Sequence, residues 1–307
     1  MNRHWFSVLV AFALPASLLA QTAALPASPK PASTPSDAHE FHDLPYVTNG
    51  TDRQRLDLYL PANPTGAHPV IAWIHGGGWQ EGSKDKCPAK GFTAQGYVVA
   101  SIGYRLSQQA IYPAQIEDCK AAIRWLRAHA SEYSIDPERI GVWGASAGGH
   151  LVALLGVTGD TRDFDVGENL NQSSRVQCVV DWFGPADFLH YGDPPTPAIN
   201  QPSSAIYKLL GGAVSEHPDE AKRASPVDFV DAHAAPFLIM QGDQDKLVPL
   251  QQSQLLQAAL EKAGVESKLE IVPGAGHGGP EFNTPERRKL LVEFFARHLH
   301  PEVTKTN

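Results

Sequence analysis

The stretch Gly141-Val-Trp-Gly-Ala-Ser-Ala-Gly-Gly149 decides the fold that this sequence predicts. It joins an apolar strand pattern to an apolar helical pattern, so the serine stands on a sharp turn between the two. Gly144 and Gly148 are expected to let the chain turn tightly and to present Ser146 above a sheet on strained backbone. The alternative is that Ser146 is only a small residue in a tight turn, but the strand-turn-helix context favours a nucleophile.

Apolar strand patterns alternate with amphipathic helical patterns along the rest of the chain. This alternation predicts an α/β fold with a mostly parallel central sheet and helices on both faces. Alternating leucines at residues 56–60 predict an early antiparallel edge strand. The irregular segment 187–223, rich in Pro, Gly and Tyr, predicts a short lid-like insertion near the ligand site. The other predicted strands are 70–74, 97–102, 140–143, 176–183, 237–241 and 268–272, with helices over 113–133 and 251–263.

A serine hydroxyl is a weak nucleophile unless the chain also supplies a base and an orienting acid. His277 stands in a glycine-rich loop after the last predicted strand, from which its imidazole can reach Ser146. The acid should follow the penultimate strand, where Gly242-Asp-Gln-Asp-Lys-Leu-Val-Pro249 offers two aspartates. Asp245 is favoured because it lies deeper in the loop, whereas Asp243 is expected to bond the backbone of its own turn.

A second glycine-rich stretch, His75-Gly-Gly-Gly-Trp79, directly follows the first core strand. Its unobstructed backbone N–H groups, together with the amide of Ala147, can hold the oxyanion of a tetrahedral intermediate. A phosphate cradle is the alternative, but no Lys-Ser/Thr pair follows and no dinucleotide spacing appears. The stretch therefore predicts an oxyanion hole.

These four motifs, HGGGW, GASAGG, GDQDKLVP and GAGHGG, resemble in type and order those of the α/β-hydrolase fold. Within that fold, residues 39–300 resemble the exported esterase and lipase-like group that includes bacterial feruloyl and acetyl-xylan esterases. Ala145 stands where hormone-sensitive-lipase-like esterases usually carry Asp, which favours the first group. The resemblance implies Ser146 as nucleophile, His277 as general base and then acid, and Asp245 as orienting carboxylate. It also implies oxyanion donors at Gly77, Gly78 and Ala147.

The implied chemistry is acyl transfer through an acyl-enzyme that water hydrolyses, and it needs no metal or organic cofactor. The expected substrate is a short-acyl or hydroxycinnamoyl ester, as a small molecule or linked to plant polysaccharide. A small serine exopeptidase of prolyl-oligopeptidase type, a general short-chain carboxylesterase and a non-catalytic binding module remain as alternatives. Four aromatic residues are candidates for the substrate pocket, although each also suits core or lid packing: Trp79, Trp182, Phe183 and Tyr191.

The composition and the terminal segments limit the number of domains, the type of partner and the location of the protein. The 307 residues are 42% hydrophobic, enough for the core of one large domain, and the net charge of -8 argues against nucleic acid as a partner. Residues 1–20 match a secretory signal peptide, 21–38 a Pro/Ala/Ser-rich linker, 39–300 the catalytic domain and 301–307 a tail. We therefore expect a secreted or periplasmic protein without stable membrane insertion, because Pro15 interrupts an already short apolar run.

Three cysteines in an exported chain allow one disulfide and leave one thiol over. We expect Cys87 to pair with Cys119, because both lie in helical surroundings soon after the first core strand. Cys178 sits inside an apolar run and is expected to pack as a small hydrophobic residue. Three free thiols are the alternative.

Overall fold

The computed structural model describes residues 39–300, except 63 and 193–194. The expected signal peptide (1–20), linker (21–38) and tail (301–307) lie outside the described residues. The strands are β1 (Glu40–Pro45), β2 (Arg55–Tyr59), β3 (His68–Ile74), β4 (Val98–Ile102), β5 (Ile135–Ala145), β6 (Cys178–Trp182), β7 (Phe237–Gly242) and β8 (Ser267–Val272). The α-helices are α1 (Ala114–Ala128), α2 (Ala147–Val157), α3 (Ala205–Leu210), α4 (Pro218–Arg223), α5 (Leu250–Lys262) and α6 (Pro285–Leu299), and 3-10 helices span Pro88–Gln95, Pro197–Asn200, Pro226–Phe229 and Pro280–Asn283.

The strands form one sheet in the order β1-β2-β4-β3-β5-β6-β7-β8. β1 and β2 pair antiparallel, as do β2 and β4, and every later neighbour pair is parallel. The predicted mostly parallel sheet is therefore confirmed. The predicted edge position of β2 is wrong, because β1 lies outside it. The β1 residues are largely exposed and their pairing shifts register between Phe41 and Leu44, so they carry no clear apolar alternation.

Both faces of the sheet are covered, as the sequence predicts. Alternate residues of β3 enter two apolar clusters: Val70, Ala72 and Ile74 join one, and Ile71 and Trp73 join the other. Helices α1, α2 and α5 contribute to the first cluster, whereas α6 contributes to the second. Every residue of α2 is buried, which explains why its sequence is apolar apart from His150. Among the described residues, no helix combines the length and apolarity needed to cross a membrane.

The two apolar clusters also explain why the expected disulfide does not form. Cys119 on α1 is buried in the first cluster, and Cys87 packs against the second. The sheet separates the two clusters, so nearness in the sequence does not bring the two sulfur atoms together. Cys87, Cys119 and Cys178 are all free thiols in the structure. The predicted Cys87–Cys119 pair is therefore wrong.

The segment 187–223 follows β6 and carries α3, α4 and one of the 3-10 helices. The side chain of Gln252 on α5 accepts hydrogen bonds from the backbone N–H groups of Ala186 and Asp187, at 2.9 and 2.8 Å. It also donates to the carbonyl oxygen of His190 at 2.9 Å. These bonds hold the start of the segment against α5. That the segment acts as a lid over the site stays a prediction.

Candidate active site

The turn between β5 and α2 holds Ser146 in a conformation that few non-glycine residues adopt, with φ 56° and ψ -119°. Two backbone hydrogen bonds maintain it. The Ser146 N–H donates to the carbonyl oxygen of Trp182 at 2.8 Å, and the His150 N–H donates to the carbonyl oxygen of Ser146 at 2.9 Å. The serine is thus held at the carboxyl end of the sheet, where parallel sheets place their ligand sites.

The glycines of this turn provide space rather than an unusual backbone conformation. Neither Gly144 nor Gly148 has a positive φ, and the left-handed residue is Ser146 itself. A Cβ on Gly148 would collide with the carbonyl oxygen of Ile74, and one on Gly144 would collide with that of Gly148. The expected strain is therefore present at Ser146, but the glycines permit it by letting the start of α2 approach β3 and β5.

Ser146, His277 and Asp245 form one continuous chain of hydrogen bonds. His277 Nε2 lies 2.8 Å from Ser146 Oγ, and His277 Nδ1 lies 2.7 Å from Asp245 Oδ2. The Asp245 side chain is fully buried, whereas that of His277 is 18% exposed towards the cavity. With Nδ1–H donating to the carboxylate, Nε2 is left as the acceptor for the serine hydroxyl. The structure brings together the three residues that the sequence singles out.

Asp245, in the loop after β7, accepts hydrogen bonds from four donors, two of them in the same loop. Besides His277, the N–H groups of Leu247 and Val248 donate to Oδ1 at 2.8 and 3.0 Å, and Gln241 Nε2 donates to Oδ2 at 2.9 Å. Burial alone would raise the pKa of this carboxyl, but the bonds from His277 and from the backbone outweigh burial and hold the pKa below its usual value. Asp245 therefore stays ionised against the His277 ring.

The neighbouring aspartate has a different partner. Asp243 Oδ1 accepts a hydrogen bond from the N–H of Gly274 at 2.8 Å, in the loop that carries His277. The expectation that Asp243 holds backbone is thus met, although the backbone belongs to the next loop and not to its own turn. It fixes the histidine loop without touching His277.

The loop His75–Trp79 lies against the serine turn. A Cβ on Gly76 would come within 2.7 Å of the carbonyl oxygen of Ala145. In the described part of the chain, none of the hydrogen bonds found uses the N–H of Gly77, Gly78 or Ala147, so these three donors remain available beside Ser146. This arrangement suits an oxyanion hole.

His75 anchors this loop from beneath. Its ring stacks on Tyr104, with 4.3 Å between centroids, and its Nδ1 lies 2.8 Å from the carbonyl oxygen of Gly76. Burial lowers the pKa of His75 to about 4, so the ring is neutral at pH 7 and Nδ1–H donates this bond. Tyr104 adds a bond from its hydroxyl to the carbonyl oxygen of His75 at 2.9 Å.

A cavity of about 1090 Å³ opens above Ser146 and His277. Three of the four predicted pocket residues line it: Trp79, Phe183 and Tyr191. Phe183 contacts the His277 ring at 4.7 Å between centroids, and the Tyr191 hydroxyl donates to the carbonyl oxygen of Leu247 at 2.7 Å. Trp182 does not line the cavity. It belongs to the second apolar cluster, where it packs against Trp143 and Phe282.

Sequence reasoning missed several residues of the site. Gln241, which bonds Asp245, is a lone amide in an apolar strand, and that polarity was the signal that could have found it. The segment 187–223 contributes wall residues that no motif marks, among them Ile199, Ala205 and Ile206. Gln80, Glu81, Gln108 and Lys246 add polar groups to the cavity, and the 68%-exposed Leu247 adds an apolar one.

Comparison with known proteins agrees with this geometry. The model of the BD-FAE family matches residues 56–260, about two thirds of the chain. The chain belongs to the BD-FAE family. This membership and the sheet topology confirm the α/β-hydrolase fold predicted from the four motifs.

Two solved structures and one curated protein are similar to this chain. A truncated carbohydrate esterase from gut microbiota is 34% identical, with a TM-score of 0.80 over 85% of this chain and 96% of that one. An acetyl ester-xyloside bifunctional hydrolase from Caldicellulosiruptor lactoaceticus is 27% identical, with a TM-score of 0.67 over 79% and 88%. Esterase LipC of Mycobacterium tuberculosis is 31% identical over 73% of this chain but only 57% of its own length. The chain thus spans little more than half of that relative.

Proposed function

We propose that the protein is a serine carboxylic-ester hydrolase that works through an acyl-enzyme on Ser146. The observation that carries the proposal is the continuous hydrogen-bond chain from Ser146 through His277 to Asp245, at 2.8 and 2.7 Å, on the floor of an open cavity. Its similarity to proteins named esterases supports the same reaction class. The same hydrogen-bond chain disfavours a non-catalytic binding module, which would not need it.

The residues divide the reaction between them. His277 Nε2 takes the proton of Ser146 Oγ as the oxygen attacks the ester carbonyl, and Asp245 stabilises the imidazolium that results. The N–H groups of Gly77, Gly78 and Ala147 hold the negative charge that develops on the carbonyl oxygen. His277 then gives its proton to the leaving alcohol, and a water molecule repeats the sequence on the acyl-enzyme.

We further propose that the substrate is a short-acyl or hydroxycinnamoyl ester carried by a plant polysaccharide. The cavity is large and open, with amide and carboxylate groups beside its aromatic walls, which suits a sugar better than a lipid chain. The names of the two solved structures point the same way. A general short-chain carboxylesterase and a small serine exopeptidase are the competing functions. Export, inferred from residues 1–20, completes the proposal, because polysaccharide lies outside the cell.

The test is release of acetate and ferulate from acetylated and feruloylated xylan by the purified protein. A nitrophenyl acetate and an aminoacyl nitroanilide serve as the competing substrates, and the Ser146→Ala variant serves as the control. We expect acid release from xylan that disappears in the variant.

Each competing function gives a different result. If the protein cleaves nitrophenyl acetate but releases no acid from either xylan, it is a general carboxylesterase and the polysaccharide substrate is wrong. Faster cleavage of the nitroanilide than of any ester would replace the esterase by a peptidase. If Ser146→Ala cleaves esters as fast as the unaltered protein, Ser146 is not the nucleophile.

A further inference from the structure

A second, smaller cavity adjoins the catalytic one. It measures about 210 Å³, and we call it the side pocket. Gln108 lines both cavities, so they share a wall. The other residues that form the side pocket come from the loop after β4, from α3 and from the position directly after α3: Ser107, Tyr207, Lys208 and Gly211.

A polar bridge joins the side pocket to the catalytic cavity. Gln108 Nε2 donates to the carbonyl oxygen of Gln80 at 2.7 Å, and Lys208 Nζ donates to Gln80 Oε1 at 2.8 Å. Gln80 itself lines the catalytic cavity. A ligand that passes from Ser146 towards the side pocket therefore crosses hydrogen-bonding groups rather than an apolar barrier.

The side pocket also holds polar groups with unused hydrogen-bonding capacity. The Tyr207 hydroxyl takes part in none of the hydrogen bonds found among the described residues, and its ring is only half-buried. The Lys208 ammonium bonds only Gln80 there, and an ammonium has three donors. The Tyr207 hydroxyl and the Lys208 ammonium therefore keep hydrogen-bonding capacity for a ligand in the side pocket.

The chemistry of these groups selects the ligand. Tyr207 offers an aromatic face with a polar end, and the Gln108 amide and the Lys208 ammonium offer hydrogen-bonding groups beside it. Lys208 is the one charged residue among the five that line the side pocket, and it already bonds a neutral amide. This combination fits a neutral, hydroxyl-rich ring better than an anion or an acyl chain.

We propose that the side pocket is a sugar subsite that binds the residue next to the esterified one in a carbohydrate chain. The inference rests on the proposed function, since it takes a saccharide ester as the substrate. The ester carbon lies at Ser146, the esterified sugar lies in the catalytic cavity, and the neighbouring sugar packs on Tyr207. The enzyme should then prefer esters of oligosaccharides to the same ester on a single sugar.

The test compares kcat/KM for acetylated xylotriose with that for acetylated methyl xyloside. We expect a higher value for the trisaccharide ester in the unaltered protein. Tyr207→Ala should lower the ratio of the two values about fivefold to tenfold, because it removes the ring that packs on the second sugar. Tyr207→Phe, which keeps the ring, should retain most of the preference.

Lys208→Met provides a second, independent variant, which removes the ammonium and keeps most of the side-chain stem. Lys289→Met on α6 is its matched control, because that lysine is 75% exposed and pairs with Glu293 at 3.7 Å. We expect the ratio to fall in Lys208→Met and to remain at the unaltered value in Lys289→Met. Thermal unfolding of each variant checks that the fold is retained.

The outcomes separate the two proposals. If the unaltered protein cleaves both saccharides and neither Tyr207→Ala nor Lys208→Met lowers the ratio, the side pocket is not a sugar subsite and the esterase function stands. If the unaltered protein cleaves nitrophenyl acetate but neither saccharide ester, the carbohydrate substrate and the subsite are both overturned.

Discussion

Two buried carboxyl groups lie close to the ends of the adjacent strands β6 and β7, Asp181 within β6 and Asp245 in the loop after β7, and the two behave in opposite ways. Asp181 on β6 accepts one hydrogen bond, from the N–H of Gly184 at 2.9 Å, and its Oδ2 has no partner. Burial raises the pKa of Asp181 to about 7. Asp245 after β7 is also buried but accepts four bonds, and its pKa is lowered.

The difference shows that the supply of donors, and not burial, decides which carboxyl group carries a charge. Removing a carboxylate from water is costly, and each donor that points at it returns part of that cost. The loop after β7 aims two backbone N–H groups at Asp245, whereas the turn after β6 aims one at Asp181. Only Asp245 can therefore hold a permanent negative charge beside an imidazolium.

The largest effect is expected when the charge of Asp245 is removed. Asp245→Asn should lower kcat on nitrophenyl acetate by about four orders of magnitude, because an amide favours the wrong tautomer of His277 and cannot stabilise its charged form. Asp243→Asn is the matched control, two residues away, and should change kcat by less than about tenfold. Steady-state kinetics of both variants makes the comparison.

A larger loss in Asp243→Asn than in Asp245→Asn would contradict this prediction, because it would mean that Asp243 and not Asp245 orients His277. Circular dichroism of both variants ensures that a loss of activity is not a loss of fold.

The next effect concerns stability and follows from the raised pKa of Asp181. Below about pH 4 the carboxyl is protonated in both the folded and the unfolded chain, so it contributes no pH dependence. Between about pH 4 and 7 the unfolded chain ionises first and binds fewer protons, so the free energy of unfolding falls as the pH rises. The fall amounts to about 4 kcal/mol at pH 7 and does not grow above it.

Asp181→Asn removes this titration. Urea unfolding should therefore show that the variant gains free energy of unfolding relative to the unaltered protein between pH 4 and pH 8. We expect the stability difference between variant and unaltered protein to move by about 4 kcal/mol towards the variant across that range. A difference that is the same at both values would mean that Asp181 is not neutral in the folded protein.

The smallest effect is expected on stability, when Gln241, the side-chain amide that donates to Asp245, is replaced. Gln241→Met keeps the length of the side chain but removes the bond to Oδ2 and leaves the Ser253 hydroxyl without its acceptor. We expect a loss of about 2 kcal/mol in the free energy of unfolding at pH 7. The pKa of Asp245 is lowered in the folded state, so its contribution is present above about pH 4 and is lost as the pH falls through the folded pKa.

The cost of Gln241→Met should therefore shrink in acid, opposite in sign to the trend for Asp181→Asn. Urea unfolding at pH 7 and pH 3 measures it. A cost that grows in acid would contradict the assignment of Asp245 as a carboxylate charged throughout the neutral range.

The sequence singled out Ser146, Asp245 and His277, which the structure joins by hydrogen bonds, because all three follow strand ends and the strands are visible as apolar runs. The order serine, acid, histidine and the glycines around Ser146 and His277 then leave few alternatives. The same reasoning did not predict β1, because its largely exposed residues lack an apolar alternation. It also predicted a Cys87–Cys119 disulfide that does not form, because the spacing of two cysteines does not reveal on which face of the sheet each one packs.

The cavity wall was harder to predict than the chemistry. Trp182 and Phe183 are neighbours in the sequence, yet one packs in the core and the other contacts His277. The segment 187–223 lines the cavity with small and apolar residues that have no motif, since their positions depend on how the segment packs and not on a repeating pattern.

The central claim is that Ser146 is activated by His277, and a fluorophosphonate probe tests it most directly. The unaltered protein and the variants Ser146→Ala and His277→Ala are treated with the probe and digested, and the adduct is mapped by mass spectrometry. We expect a single adduct on Ser146, none in Ser146→Ala and a strongly slowed reaction in His277→Ala. An adduct on a different residue, or labelling of Ser146 at an undiminished rate in His277→Ala, would contradict the account.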